Sequence, residues 1–145
     1  MATLTSATPP SFPVPAARAL AILVVDDMAD LPPLIRDWLV RRGHLVHCAF
    51  SGHEAIALLR REHVDLVITD VLMPDGDGPD LIGQVRRLQP AARILAISGG
   101  GRYVESDDCL KIARGLGAHA ALMKPFDRDK LFEGIAQARA EPRNA

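Results

Sequence analysis

Aromatic residues are scarce in this chain: Phe, Tyr and Trp make up 4% of its 145 residues, with a single Trp and a single Tyr. A packed core must therefore be built from Leu, Ile, Val and Ala, and the apolar fraction of 48% is sufficient for one. Cysteine is almost absent. Cys48 and Cys109 lie far apart and form no CxxC pair, which excludes a disulfide framework or a structural zinc site. Both read as small core or helix residues in a reducing cytosol. Charge of one sign is lacking too. The formal net charge of -1 excludes strong electrostatic attraction to nucleic acid or to an anionic membrane. No apolar run approaches the ~20 residues of a membrane span. The opening segment lacks a basic region and is broken by Pro9, Pro10, Pro13 and Pro15, so it makes a poor signal peptide. A cytoplasmic location is the expectation. So is one domain, since a chain of this size buries most of the surface it would expose unfolded.

What is present is alternation. Residues 1–18 are rich in Ala, Thr, Ser and Pro and read as a tail, as do residues 141–145. Residues 19–140 read as the folded domain. Ala19 to Val25 is a continuous apolar run, suited to a strand buried on both faces. Leu34, Ile35, Trp38 and Leu39 then repeat at helical spacing, with Pro32 and Pro33 in a first turn and Gly43 at the close. Leu45 to Ala49 is a second strand, and Ser51 can cap the helix after it. Leu66 to Thr69 is a third strand, followed by a turn-rich loop and a helix marked by Leu81, Ile82, Val85 and Leu88. Arg93 to Ile97 is a fourth strand. Three glycines lead from it to a helix ended by Gly117. Ala120 to Met123 is a fifth strand, and Asp127 can cap the last helix. Five strand–helix units in strict alternation predict an α/β fold of three layers, a parallel sheet with helices on both faces. No solenoid-type repeat is present.

In such a sheet, ligands bind beyond the carboxyl ends of the strands. Asp26 and Asp27 follow the first strand, Asp70 the third, Ser98 the fourth and Lys124 the fifth. The second offers only Glu54 further on. Each has a plain structural reading on its own: a turn or cap for the aspartates, a solvated lysine before Pro125, a serine before glycines. Together they bring carboxylates and one ammonium to a single rim. Crowded carboxylates repel, and an all-oxygen ligand set favours a hard ion such as Mg²⁺, which leaves part of its coordination open. A carboxylate nucleophile beside such a cation and a lysine suits phosphoryl transfer through an acyl phosphate. The five histidines, His44, His47, His53, His63 and His119, show no ligand spacing and read as surface or strand-edge residues.

These residues resemble the receiver domain family of two-component response regulators. The resemblance rests on Ile22 to Asp27, on Asp70-Val71-Leu72-Met73-Pro74 with Asp77-Gly78, on Ser98 and on Lys124-Pro125-Phe126, and spans about Leu20 to Arg139. It implies a flavodoxin-like sheet in the order 2-1-3-4-5. It implies that Asp70 is the phosphoacceptor, and that Asp26, Asp27, Asp70 and the backbone carbonyl of Leu72 hold Mg²⁺. Lys124 and Ser98 would bind the phosphoryl group, and the Lys124–Pro125 bond would be cis. The implied donor is a sensor histidine kinase or a histidine phosphotransfer protein, and the output is contact with a further protein. The family is not enzymatic beyond assisting its own phosphorylation and slow dephosphorylation. Apolar Leu72 and small Gly100 offer no side-chain base for water, which points to slow hydrolysis.

The sequence departs from the family at three points. Ala121 stands where a switch aromatic is usual; Tyr103, in the loop after Ser98, reads as an exposed loop tyrosine or as its replacement. The stretch between Ser98 and Lys124 is longer than usual. No second domain follows Arg139, which suggests a single-domain regulator. Two other functions are compatible with parts of the pattern. One is a phosphorylation-independent scaffold on the same fold, motivated by Ala121. The other is an aspartate phosphatase, disfavoured because Asp26-Asp27 is not a DxD pair.

Overall fold

A computed structural model describes residues 19–71, 77–99 and 106–140. The two tails, Leu72, Gly100 and Tyr103 lie outside the described residues. Strands and helices alternate as expected: β1 (Ala21–Val25), α1 (Leu31–Val40), β2 (Leu45–Ala49), α2 (Gly52–Leu59), β3 (Leu66–Asp70), α3 (Asp77–Leu88), β4 (Arg93–Ser98), α4 (Ser106–Leu116), β5 (Ala120–Met123) and α5 (Arg128–Ala140). The strands form one five-stranded parallel sheet in the order β2-β1-β3-β4-β5.

Side chains of successive strand residues point to opposite faces, so each strand feeds two cores. Leu23, Val25, Val67, Ile94 and Ala96 pack with Leu58, Leu59, Leu81, Ile82, Val85 and Ala113 from α2, α3 and α4. Ile22, Val24, Leu66, Ile68, Leu95 and Ile97 pack with Ile35, Leu39, Leu131 and Ala138 from α1 and α5. Among the described residues, no aromatic side chain is one of the largest fully buried ones, in keeping with the composition. Gly134 lets α5 approach the sheet closely, because a Cβ there would sit 3.3 Å from both methyls of Leu95.

The helix punctuation follows local chemistry. Ser51 Oγ accepts a hydrogen bond from the Glu54 amide at 3.1 Å, and Asp127 Oδ1 accepts one from Lys130 at 2.9 Å. Glu54 Oε1 accepts from the Phe50 amide at 2.8 Å, so this carboxylate serves the cap of α2. Gly43 and Gly117 close α1 and α4 with φ of 91° and 113°, values that favour glycine. The helical stripe of α1 is narrower than its apolar spacing implies: Ile35 and Leu39 are buried, whereas Leu34 is exposed.

Candidate functional site

The buried polar side chains among the described residues are Asp26, Thr69, Asp70 and Ser98. All four sit at the carboxyl edge of the sheet, at the ends of β1, β3 and β4. Burying a polar or ionised group is costly unless partners compensate, so their concentration on one rim marks a site.

Register places them there. Asp70 ends β3 and pairs with Ile97, one residue before Ser98. The Val71 amide donates to Ile97 O at 3.0 Å, and the Lys124 amide donates to Ser98 O at 2.9 Å. These bonds bring the residues after β3, β4 and β5 to one level. Asp26 is fixed on the other side, its amide donating to Ala49 O at 3.2 Å. Its Oδ1 accepts from the Met28 amide at 2.8 Å, which folds the turn after β1 back over the carboxylate.

Lys124 reaches into the middle. Its Nζ lies 2.9 Å from Asp26 Oδ2 and donates to Asp70 Oδ2 at 3.1 Å. Burial alone would lower the lysine pKa, but the two carboxylates outweigh it and hold the pKa above the ordinary 10.5. Asp26 is fully buried, and the partner of its Oδ2 among the described residues is the Lys124 ammonium at 2.9 Å. Asp27 completes the cluster from an exposed position. Oxygens of Asp26, Asp27 and Asp70 lie within 4.8 Å of one another. Three carboxylates thus face one ammonium. The all-oxygen donor set, the spacing and the excess of carboxylates over ammonium fit a hard divalent cation.

The structure therefore brings together Asp26, Asp27, Asp70 and Lys124, with Ser98 buried at the adjoining strand end. The Lys124–Pro125 bond is cis. The carbonyl of Leu72 falls outside the described residues. Ala121 is half-buried against the core shared with α2, α3 and α4. None of the histidines joins the cluster. One neighbour had no signal in the sequence: Met28 places its Sδ 3.4 Å from Lys124 Nζ. Its position two residues after Asp26, in the turn over the site, is the only hint available.

Comparison with known proteins agrees with this geometry. The profile of the response regulator receiver domain matches residues 22–136. The chemotaxis protein CheY of Bacillus subtilis is 32% identical over 115 residues, covering 79% of this chain and 92% of that protein. The transcriptional regulatory protein GlrR of Escherichia coli is 33% identical over 117 residues. That match covers 81% of this chain and 26% of GlrR, so the chain spans about a quarter of that regulator's length. Among solved structures, a CheY-like receiver domain protein from Methanospirillum hungatei superposes with a TM-score of 0.71 at 26% identity, covering 82% of this chain and 92% of that one. CheY4 of Vibrio cholerae shares the fold with a TM-score of 0.73 at 24% identity, covering 83% and 98%. The chain belongs to the response regulator receiver domain family.

Proposed function

We propose that Asp70 accepts a phosphoryl group from a phosphohistidine on a sensor kinase or phosphotransfer protein in the cytoplasm, and that the product signals by protein contact. The observation that carries this reading is the buried Asp70 carboxylate, paired with Lys124 at 3.1 Å and clustered with Asp26 and Asp27 within 4.8 Å.

A carboxylate oxygen of Asp70 forms the new O–P bond as the N–P bond of the donor breaks, and the departing imidazole nitrogen takes up a proton. Lys124 stays charged through neutral pH and trades its contact with Asp70 for one with a phosphoryl oxygen. Ser98, at the neighbouring strand end, offers a hydroxyl donor. Asp26, Asp27 and Asp70, with the Leu72 carbonyl, are the residues that would hold Mg²⁺. When bound, that ion neutralises charge on the transferring group and leaves ligand positions open to its oxygens. Such transfer needs positioning and charge neutralisation more than covalent machinery. Apolar Leu72 and small Gly100 carry no side-chain base for water, which favours slow loss of the group.

The test is direct. Incubation with Mg²⁺ and acetyl phosphate adds one phosphoryl mass to the wild type and none to Asp70→Asn. No adduct, or an unchanged adduct in Asp70→Asn, overturns the assignment. Ala121, where the family has an aromatic, favours a scaffold as the second reading. It requires wild type and Asp70→Asn to bind the same partners equally, with or without acetyl phosphate.

A further inference from the structure

We propose that Met28 is a site of reversible oxidation by hydroperoxides, and that its sulfoxide draws the Lys124 ammonium away from Asp70 and so slows phosphorylation; this rests on the phosphoacceptor reading above.

Among the described residues, Met28 is an uncharged side chain that touches the charged set. The side chain is 56% exposed, yet its Sδ lies 3.4 Å from Lys124 Nζ. The placement is held by the backbone. The Met28 amide donates to Asp26 Oδ1 at 2.8 Å, and its carbonyl accepts from the Leu31 amide at 3.1 Å. An apolar side chain left this exposed gains little from burial, so packing does not account for the position. The position does put an oxidisable sulfur within reach of solvent and of the one ammonium that bridges Asp26 and Asp70.

The chemistry is a two-electron oxygen transfer. A sulfur lone pair attacks the terminal oxygen of a hydroperoxide, the S–O bond forms and the O–O bond breaks. Sulfur is oxidised and the peroxide reduced, the departing oxygen leaving as water or an alcohol once protonated. A thioether is a weak hydrogen-bond acceptor, whereas a sulfoxide is polar and reducible back by methionine sulfoxide reductases. Lys124 Nζ already donates to Met28 Sδ; the S=O oxygen is a stronger acceptor that stands beyond the sulfur, so keeping that bond shifts the ammonium away from Asp70. Thiol oxidation is a poor rival at Cys48, where burial pushes the thiol pKa up and keeps it protonated.

The experiment uses the full chain. Wild type and Met28→Leu are treated with hydrogen peroxide, sulfoxide is located by peptide mass spectrometry, and acetyl phosphate labelling with Mg²⁺ is timed for each protein against its own untreated sample. Half-buried Met123 serves as the internal comparison. The expected result is oxidation at Met28 ahead of Met123. Labelling of wild type then falls on the order of tenfold, as loss of one charge-assisted hydrogen bond predicts. Reductase restores it, and Met28→Leu keeps its rate. Oxidation at Met28 without a change in labelling overturns the proposal, as does equal loss in Met28→Leu. If untreated protein takes no phosphoryl group, the phosphoacceptor reading fails on its own. The Met28 proposal is then decided by Mg²⁺ affinity: a sulfoxide that removes the competing ammonium tightens binding, and an unchanged affinity rejects it.

Discussion

Lys124 is the residue on which the site's electrostatics turn. Its ammonium touches two buried carboxylates, Asp26 at 2.9 Å and Asp70 at 3.1 Å, with Asp27 close by. Removing one partner from a buried ion pair leaves charge uncompensated, and that costs more than the pair itself contributes. Lys124→Ala is therefore expected to lower stability by about 2 kcal/mol in chelator at neutral pH, read from urea unfolding. A divalent cation can supply the missing positive charge, so Mg²⁺ restores more stability to Lys124→Ala than to wild type. An equal Mg²⁺ response in the two proteins would contradict the cluster. The lysine pKa is raised by folding, so its contribution is complete below the unfolded value of 10.5 and is lost only as pH rises beyond it.

At the scale of elements, two helix glycines have opposite roles. Gly117 closes α4 with φ of 113°, and a Cβ there would lie 2.6 Å from Arg86 Cδ. Gly83 lies inside α3, and a Cβ there meets nothing within 4 Å. Gly117→Ala is expected to cost about 1–2 kcal/mol, through left-handed backbone strain and displacement of Arg86. Gly83→Ala should gain about 0.5–1 kcal/mol, through helix propensity and a stiffer unfolded chain. Thermal or urea unfolding separates the two, and equal signs would refute the contrast. Gly117 was legible as a stop because it follows an amphipathic run; the open space at Gly83 was not, since it depends on what packs nearby. Strand limits show the same division. The runs Leu45 to Ala49 and Ala120 to Met123 coincide with their strands. β1 starts later than its apolar run, because the Leu20 amide donates to His44 Nδ1 at 3.0 Å instead of joining the ladder. No local pattern encodes that contact with a residue after α1.

Across the whole molecule the two rims of the sheet are built for different work. The carboxyl rim was readable in the sequence, because alternation fixes which residues end strands, and Asp26, Asp27, Asp70, Ser98 and Lys124 all do. The amino rim was not readable, because its bonds depend on register between distant strands. There His44 Nδ1 accepts from Leu20 and His119 Nδ1 from Ile94, each at 3.0 Å, while Asp65 Oδ2 accepts from Ala21 at 2.8 Å. These side chains precede β2, β5 and β3 and tie down neighbouring strands. An imidazole nitrogen that accepts cannot also carry a proton. Burial, then the nearby charges of Arg139 and Arg42, lowers the His44 pKa below the ordinary 6.5. The unfolded chain therefore binds a proton that the folded chain resists. The His44 contribution is present above 6.5 and is lost as pH falls through the lowered value. Asparagine offers an amide oxygen near the place of Nδ1 and does not titrate. His44→Asn is thus expected to flatten the decline in urea midpoint between about pH 7 and pH 5 while leaving acetyl phosphate labelling of Asp70 unchanged. Asp70→Asn should do the reverse, abolishing labelling while keeping the acid-dependent decline. A His44→Asn protein with the wild-type decline would remove His44 from the acid response. One that also lost labelling would show that the rims are coupled, against the separation that the sheet imposes.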